Sequence, residues 1–176
     1  NLNMPTRMSY GPNVPSSTNI IDLASPGTVI SSMAGDYGAL NDDGTRIVVS
    51  GLFGGLTLYD ANTGSSLGAV STPSGTAVHP TWSPDGDTIV YSSCPGISNT
   101  LEAADCDLYK MDWNGSSFSN EQLLAASGSN ETYYYPTFSP DSQWIAFNKA
   151  EPVGTPDGQS WSNDNPNADM MLVHIS

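Results

Sequence analysis

Two stretches decide how this chain is read: "HPTWSPDG" at His79–Gly86 and "YYPTFSPDS" at Tyr134–Ser142. Each closes on a tetrapeptide suited to a tight turn. Proline presets φ near −65° at the first central position, aspartate caps the turn through its carboxylate, and glycine accepts positive φ. Aligning on Asp85 and Asp141 exposes a third copy at Asp43, where "NDDG" from Asn41 supplies the same turn chemistry without proline. Three residues before these aspartates stand Leu40, Trp82 and Phe138, and four residues after them stand Ile47, Ile89 and Ile145. Pro80 and Pro136 precede the last two by five residues. The aspartates are 42 and 56 residues apart, the interval of one β-propeller blade with an insertion in the longer unit.

Each turn is followed by a short β-rich run: "RIVVS" from Arg46, "TIVYSS" from Thr88 and "WIAFN" from Trp144. Apolar residues at successive positions predict strands buried on both faces, as a blade covered by two neighbours requires. Further strands follow in "LTLYD", "DLYKMD" and "DMMLVHI", with weaker outer strands in "LGAV" and "EQLL". The expected fold is all-β: propeller blades of four antiparallel strands, in an incomplete ring. Residues 1–18 read as a linker or processed N-terminal segment, and residues 19–34 as outer strands of a preceding blade. About three blades then follow, at 35–78, 79–133 and 134–176, the last incomplete. Propellers need at least about four blades to close, so the remaining blades are expected from the rest of a longer polypeptide or from another subunit.

Composition agrees with a turn-rich β domain. The 176 residues suit one domain, and 17 Gly and 13 Pro punctuate it. Asp and Glu number 18 against 4 Lys and Arg, a formal net charge of −14. With only Arg7, Arg46, Lys110 and Lys149 to meet phosphate, nucleic acid and anionic membrane surfaces are disfavoured as partners. No apolar run approaches the roughly 20 residues of a membrane span.

The segments "PTWSPDGDTIVYSS", "DLYKMDWNG" and "PTFSPDSQWIAFN" resemble TolB-like β-propeller repeats, the proline-aspartate relatives of WD repeats. The resemblance covers about residues 35–176, with Ser142 in place of the usual glycine and Asp42 in place of the usual proline. It implies a propeller scaffold, commonly extracytoplasmic in bacteria, that usually binds proteins and sometimes gates a peptidase.

In that topology the aspartate turns share one rim, and the connections between second and third strands share the other. The second rim collects "CPGISNTLEAADC" from Cys94 and "EPVGTPDGQSWSNDNPNAD" from Glu151. Long loops on a rigid scaffold carry binding. His79, Tyr133, Tyr134, Tyr135 and Trp161 are therefore the candidate binding residues for a protein or glycan partner. The aromatic triplet has a second reading, alternation into the blade edges. Cys94 and Cys106 bracket a loop where neighbouring strands return together, within the Cα separation a disulfide accepts. That disulfide implies a periplasmic, cell-surface or secreted setting. Asp164, Asn165, Asn167 and Asp169 concentrate oxygen ligands suited to calcium, although Asn-Pro and Asn-Asp are also ordinary turn formers. No other cofactor is implied.

His79 and His174 are the only histidines, and neither sits in a metal-binding spacing. No phosphate-loop signature occurs. The leading expectation is a non-catalytic extracytoplasmic binding or scaffold module. The alternatives are the propeller portion of a larger enzyme, either a prolyl-oligopeptidase-type serine peptidase or a polysaccharide-acting one, and a structural subunit of a surface layer or filament.

Overall fold

A computed structural model describes residues 7–10, 17–25, 27–95, 104–151, 153–154, 160–161 and 165–176, except for the side chains of residues 10, 153–154 and 160–161. Every regular element among them is a strand. The first sheet is β1 (Arg7–Tyr10), β2 (Ser17–Asp22) and β3 (Val29–Ala34). The second is β4 (Tyr37–Leu40), β5 (Arg46–Ser50), β6 (Leu56–Asp60) and β7 (Ser66–Val70). The third is β8 (Thr76–Trp82), β9 (Thr88–Cys94), β10 (Asp107–Trp113) and β11 (Phe118–Ala125). The fourth contains β12 (Thr132–Phe138), β13 (Trp144–Ala150) and, after the small hairpin β14 (Val153–Gly154) and β15 (Ser160–Trp161), β16 (Asp169–His174). All pairings are antiparallel and join sequential strands, except that β13 pairs with β16 across the inserted β14–β15 hairpin, so each of the four main sheets is a meander and a blade.

The aspartate turns join the first and second strands of the last three blades. Their hydrogen bonds repeat atom for atom. Asn41, Ser83 and Ser139 donate their N–H to the carbonyls of Arg46, Thr88 and Trp144, at 3.0, 2.8 and 2.8 Å. The side-chain oxygens of the same three residues accept from the N–H of Arg46, Thr88 and Trp144, each at 2.9 Å. Asp43, Asp85 and Asp141 accept from the N–H of Thr45, Asp87 and Gln143, at 2.8, 3.1 and 3.1 Å. These carboxylates satisfy backbone donors that the turn would otherwise leave unpaired. A last equivalence closes each blade: Ala61, Trp113 and Ile175 donate to the carbonyls of Thr45, Asp87 and Gln143.

Apolar seams join the blades. Ile20 and Met33 of the first blade pack against Ile47 and Val49 of the second. Val48, Leu56 and Leu58 of the second meet Trp82, Ile89 and Tyr91 of the third. Val90 and Leu108 of the third meet Ile145 and Phe147 of the fourth. Alternate residues of β5 and β9 thus enter opposite seams, which is why those strands read as unbroken apolar runs. Each fully buried side chain of this size contributes about 1.5–3 kcal/mol. Leu40, Trp82 and Phe138, equivalent by sequence, each pack in the seam facing the preceding blade.

Two expectations need correction. Residues 7–10 are not linker: they pair with β2 from Arg7↔Asp22 to Tyr10↔Asn19, and Arg7 Nη1 donates to the Gly44 carbonyl at 2.9 Å. Four residues of mixed polarity carry too little periodicity to announce a strand. The run from Trp144 is covered on one face only. Ile145 and Phe147 are buried, while Trp144 is 44% exposed, because no sheet follows the fourth blade among the described residues.

Candidate functional site

The position six residues before each turn aspartate is Tyr37, His79 and Tyr135. These residues lie on β4, β8 and β12, the first strands of consecutive blades, which adjoin one another. In β8 the pairing passes from Val78↔Ser92 to Thr81↔Val90, and in β12 from Tyr134↔Asn148 to Thr137↔Ala146, so each strand carries one extra residue. At both bulges the backbone turns left-handed, with φ of 51° at His79 and 51° at Tyr135. A side chain with a Cβ adopts that conformation at a cost of about 1–2 kcal/mol, and such strain persists where it aims a side chain.

Here it aims rings at one another. The Tyr37 and His79 ring centroids are 4.8 Å apart and nearly perpendicular, those of His79 and Tyr135 are 4.4 Å apart, and those of Tyr37 and Tyr135 are 5.6 Å apart. The two phenol oxygens meet at 2.9 Å. His79 is buried, and Tyr37 and Tyr135 are half-buried with their hydroxyl ends together. Tyr134 is buried edge-on against Tyr135, with centroids 5.2 Å apart, and burial raises its phenol pKa.

The triplet therefore divides. Tyr135 joins His79 in the cluster, Tyr134 supports it from behind, and Tyr133 turns into the seam, 4.8 Å from the Phe147 ring. Trp161 lies on β15, but its side chain is outside the described residues.

Around the cluster's outer end stand the connections between second and third strands. Tyr37 pairs with Ser50, directly before the loop 51–55. That loop raises Phe53 to 71% and Leu52 to 39% exposure, with Gly54 and Gly55 at φ of 80° and 82° making the turn. Gly55 N–H donates to the Ala77 carbonyl at 2.8 Å, anchoring the loop to β8. A groove of about 420 Å³ runs beside it, lined by Leu52, Leu56, Tyr59 and Val70 among others. The next connection is closed by the Cys94–Cys106 disulfide, with Cα atoms 4.1 Å apart and both cysteines fully buried beside Val78. In the third, Asn165 spends its side chain on local backbone: Nδ2 donates to the Glu151 carbonyl at 2.9 Å, and Oδ1 accepts from Asn167 N–H at 2.8 Å. Asn167 and Asp169 are exposed, and Asp164 lies outside the described residues. Among the described residues no group of three or more His, Cys, Asp or Glu side chains is arranged to hold a metal.

The opposite rim is acidic. A depression of about 630 Å³ there is lined by Asp42, Asp43, Asp85, Asp87, Arg46 and Trp113 among others. The bond from the Thr45 hydroxyl holds the Asp43 carboxyl below its usual pKa. Burial raises that of Asp85, but the bonds from Ser83, Asp87 and Ser142 together outweigh it and the net shift is downward. Each of the four Lys and Arg side chains has an oxygen partner, and of these four only Arg46 lines the depression. Arg7 and Lys110 bridge seams to the carbonyls of Gly44 and Ile175, Arg46 faces Asp60 at 3.4 Å, and Lys149 meets Glu131 at 2.7 Å.

No protein-family model and no curated protein matches this sequence. Solved structures do match the fold. A protein assigned as TolB in Agrobacterium tumefaciens superposes with a TM-score of 0.62 at 15% identity, over 97% of this chain and 71% of that one. TolB from Acinetobacter baumannii gives 0.62 at 17% identity, over 97% of this chain and 41% of that one. The fold is that of a TolB-like β-propeller. The tricorn protease also matches, at a TM-score of 0.53 and 15% identity, over 96% of this chain and 16% of the protease.

Within this TolB-like propeller, two contributors to the candidate face escape a motif-based reading. Tyr37 occupies the same repeat position as His79 and Tyr135, but Gly38 follows it where the others have proline. A Cβ on Gly38 would come within 2.8 Å of both Ile47 and Thr18, which explains the departure. Phe53 sits in a glycine-rich turn and reads as loop, so only the structure shows its exposure.

Proposed function

We propose that this TolB-like propeller is a non-catalytic, extracytoplasmic binding module that engages a protein or glycan partner through the rim opposite its aspartate turns. The observation that carries this reading is the convergence of Tyr37, His79 and Tyr135 from three blades, two of them through strained backbone, beside the exposed Phe53 loop. Folding alone does not require an aromatic side chain at a left-handed bulge. Tyrosine and phenylalanine offer large, stiff contact surfaces of the kind that dominate binding energies. The buried disulfide supports an oxidising compartment. No helix among the described residues is long and apolar enough to cross a membrane.

The test is capture. Immobilised chain is exposed to a periplasmic or secreted protein fraction and, separately, to a panel of neutral oligosaccharides. The double variant L52A/F53A and the single variant Y135A serve as comparisons. A partner retained by the wild type and lost by both variants, at unchanged thermal unfolding of L52A/F53A, supports the reading. Equal capture by all three refutes it.

The second reading, the propeller portion of a larger enzyme, is favoured by the likeness to the tricorn protease. In that case the aromatic rim would face a catalytic unit in the same polypeptide, and the binding partner would be that unit.

A further inference from the structure

The turn joining β10 to β11 holds the chain's single Asn–Gly pair, Asn114–Gly115, between the paired residues Trp113 and Phe118. All the residues of that turn, 114–117, are exposed. Asn114 N–H donates to the Ser117 carbonyl at 3.2 Å. The Asn114 side chain folds forward over the next peptide. Its Oδ1 accepts from the N–H of Ser116 and of Ser117, at 3.0 and 2.9 Å, and from the Ser116 hydroxyl at 2.9 Å. A side chain held this way keeps its Cγ beside the Gly115 amide.

That arrangement favours attack of the Gly115 nitrogen on Cγ. Gly115 has no side chain to shield its amide, and an added Cβ would meet nothing within 4 Å, so solvent base reaches the N–H. The donors gather on Oδ1, the atom that becomes negative when a nucleophile adds at Cγ, as in an oxyanion hole. The short tether holds nucleophile and electrophile together. Asp43–Gly44 and Asp85–Gly86 sit in comparable turns on the same rim, but both carboxyls lie below their usual pKa. They stay ionised at neutral pH, and an ionised carboxylate resists such attack. The third Asp–Gly pair, Asp157–Gly158, lies outside the described residues.

We infer that Asn114 is a self-modification site, converting in the folded chain to aspartate and isoaspartate through a succinimide. Base removes the Gly115 amide proton, the nitrogen bonds to Asn114 Cγ, and the Cγ–Nδ2 bond breaks with Nδ2 leaving as ammonia. One water then opens the ring. Opening at the side-chain carbonyl gives aspartate. Opening at the main-chain carbonyl gives isoaspartate, whose backbone runs through the side chain and is one methylene longer. Either product sets a new carboxylate on the wall of the depression that Asp43, Asp85 and Asp87 line, taking the net charge one unit below −14. The acidic rim thus grows more negative with age. The change falls at the turn flanked by Trp113 and Phe118, whose ring centroids are 4.6 Å apart.

The test is incubation of the folded chain at about pH 8, beside a synthetic peptide of residues 111–118. Peptide mapping by mass spectrometry is expected to show the amide-to-acid mass increase at Asn114. Isoelectric focusing is expected to show one new, more acidic band, and isoaspartyl methyltransferase should label the digested product. The variant N114Q, whose longer side chain must close a six-membered ring, is expected to lose the new band entirely. An Asn114 that stays intact in the folded chain while the peptide converts overturns the inference. So does an equal band in N114Q, which would place the change at another residue.

Discussion

The two rims of this propeller are built on opposite plans. On one rim, three turns repeat the same hydrogen bonds between the same relative positions, across sequences as different as "NDDG", "SPDG" and "SPDS". On the other, the three connections share nothing: a glycine hairpin tipped by Phe53, a loop closed by a disulfide, and a long insertion carrying a two-stranded hairpin. The uniform rim spends its polar groups on its own backbone. On the varied rim Leu52 and Phe53 stand exposed, and the rings of Tyr37, His79 and Tyr135 lie next to their loop. Similarity thus marks what folding needs from every blade, and difference marks what is free to be recruited for contact.

Substitutions can break this contrast in graded steps. The largest effect belongs to the varied rim's one structural device. Replacing Cys94 and Cys106 by serine opens the loop and lowers unfolding free energy by about 3 kcal/mol on the chain-entropy account, read from urea denaturation with and without reductant. A variant that unfolds at the wild-type urea midpoint would show the crosslink to be idle.

Next comes Asp85→Ala on the uniform rim. It removes the acceptor for Ser83 Oγ and Asp87 N–H and costs about 1–2 kcal/mol. Because the folded-state pKa values of Asp43, Asp85 and Asp141 are lowered, their contribution is complete above the unfolded aspartate value of about 3.9 and is lost as pH falls through the lower folded values. Thermal melts between pH 6 and 2.5 should show a smaller acid loss in Asp85→Ala than in wild type. An equal loss would mean that other carboxylates govern acid unfolding.

Ser142 sharpens the comparison further. It holds φ at 60° where the other two turns have glycine, and its Oγ accepts from Asp85 N–H at 3.1 Å, tying the fourth blade's turn to the third's. Ser142→Ala keeps the strain and loses the bond, costing about 1 kcal/mol. Ser142→Gly loses the bond but relieves about as much strain, so its midpoint should stay near wild type. If glycine proves as harmful as alanine, backbone strain is not part of the balance. The smallest effect on stability is expected for Phe53→Ala, within about 0.5 kcal/mol, alongside loss of the captured partner.

Most of the architecture was legible because it is written locally. Turn chemistry at Asp43, Asp85 and Asp141, with Ile four residues later, fixes where a hairpin bends and which strand is buried. Cys94 and Cys106 were legible for the same reason, lying at the two ends of a single connection. The aromatic cluster was half legible. His79 and Tyr135 stand out beside their prolines, but Tyr37 meets them only through tertiary placement, from a strand without a bulge. Tyr133 and Tyr134 were drawn to the face by their neighbour, whereas strand alternation sends Tyr133 into a seam and the bulge separates Tyr135 from both. The strand at 7–10 was invisible because its stability comes from its partners, including Arg7 reaching to Gly44 and Asn62.

The bends at His79 and Tyr135 belong to the backbone, each set by one extra residue and a following proline. The rings borne by β4, β8 and β12 touch one another, and Tyr37 and Tyr135 are joined through their hydroxyls, so the three blades share one plug and a change at any of its positions is transmitted to the other two.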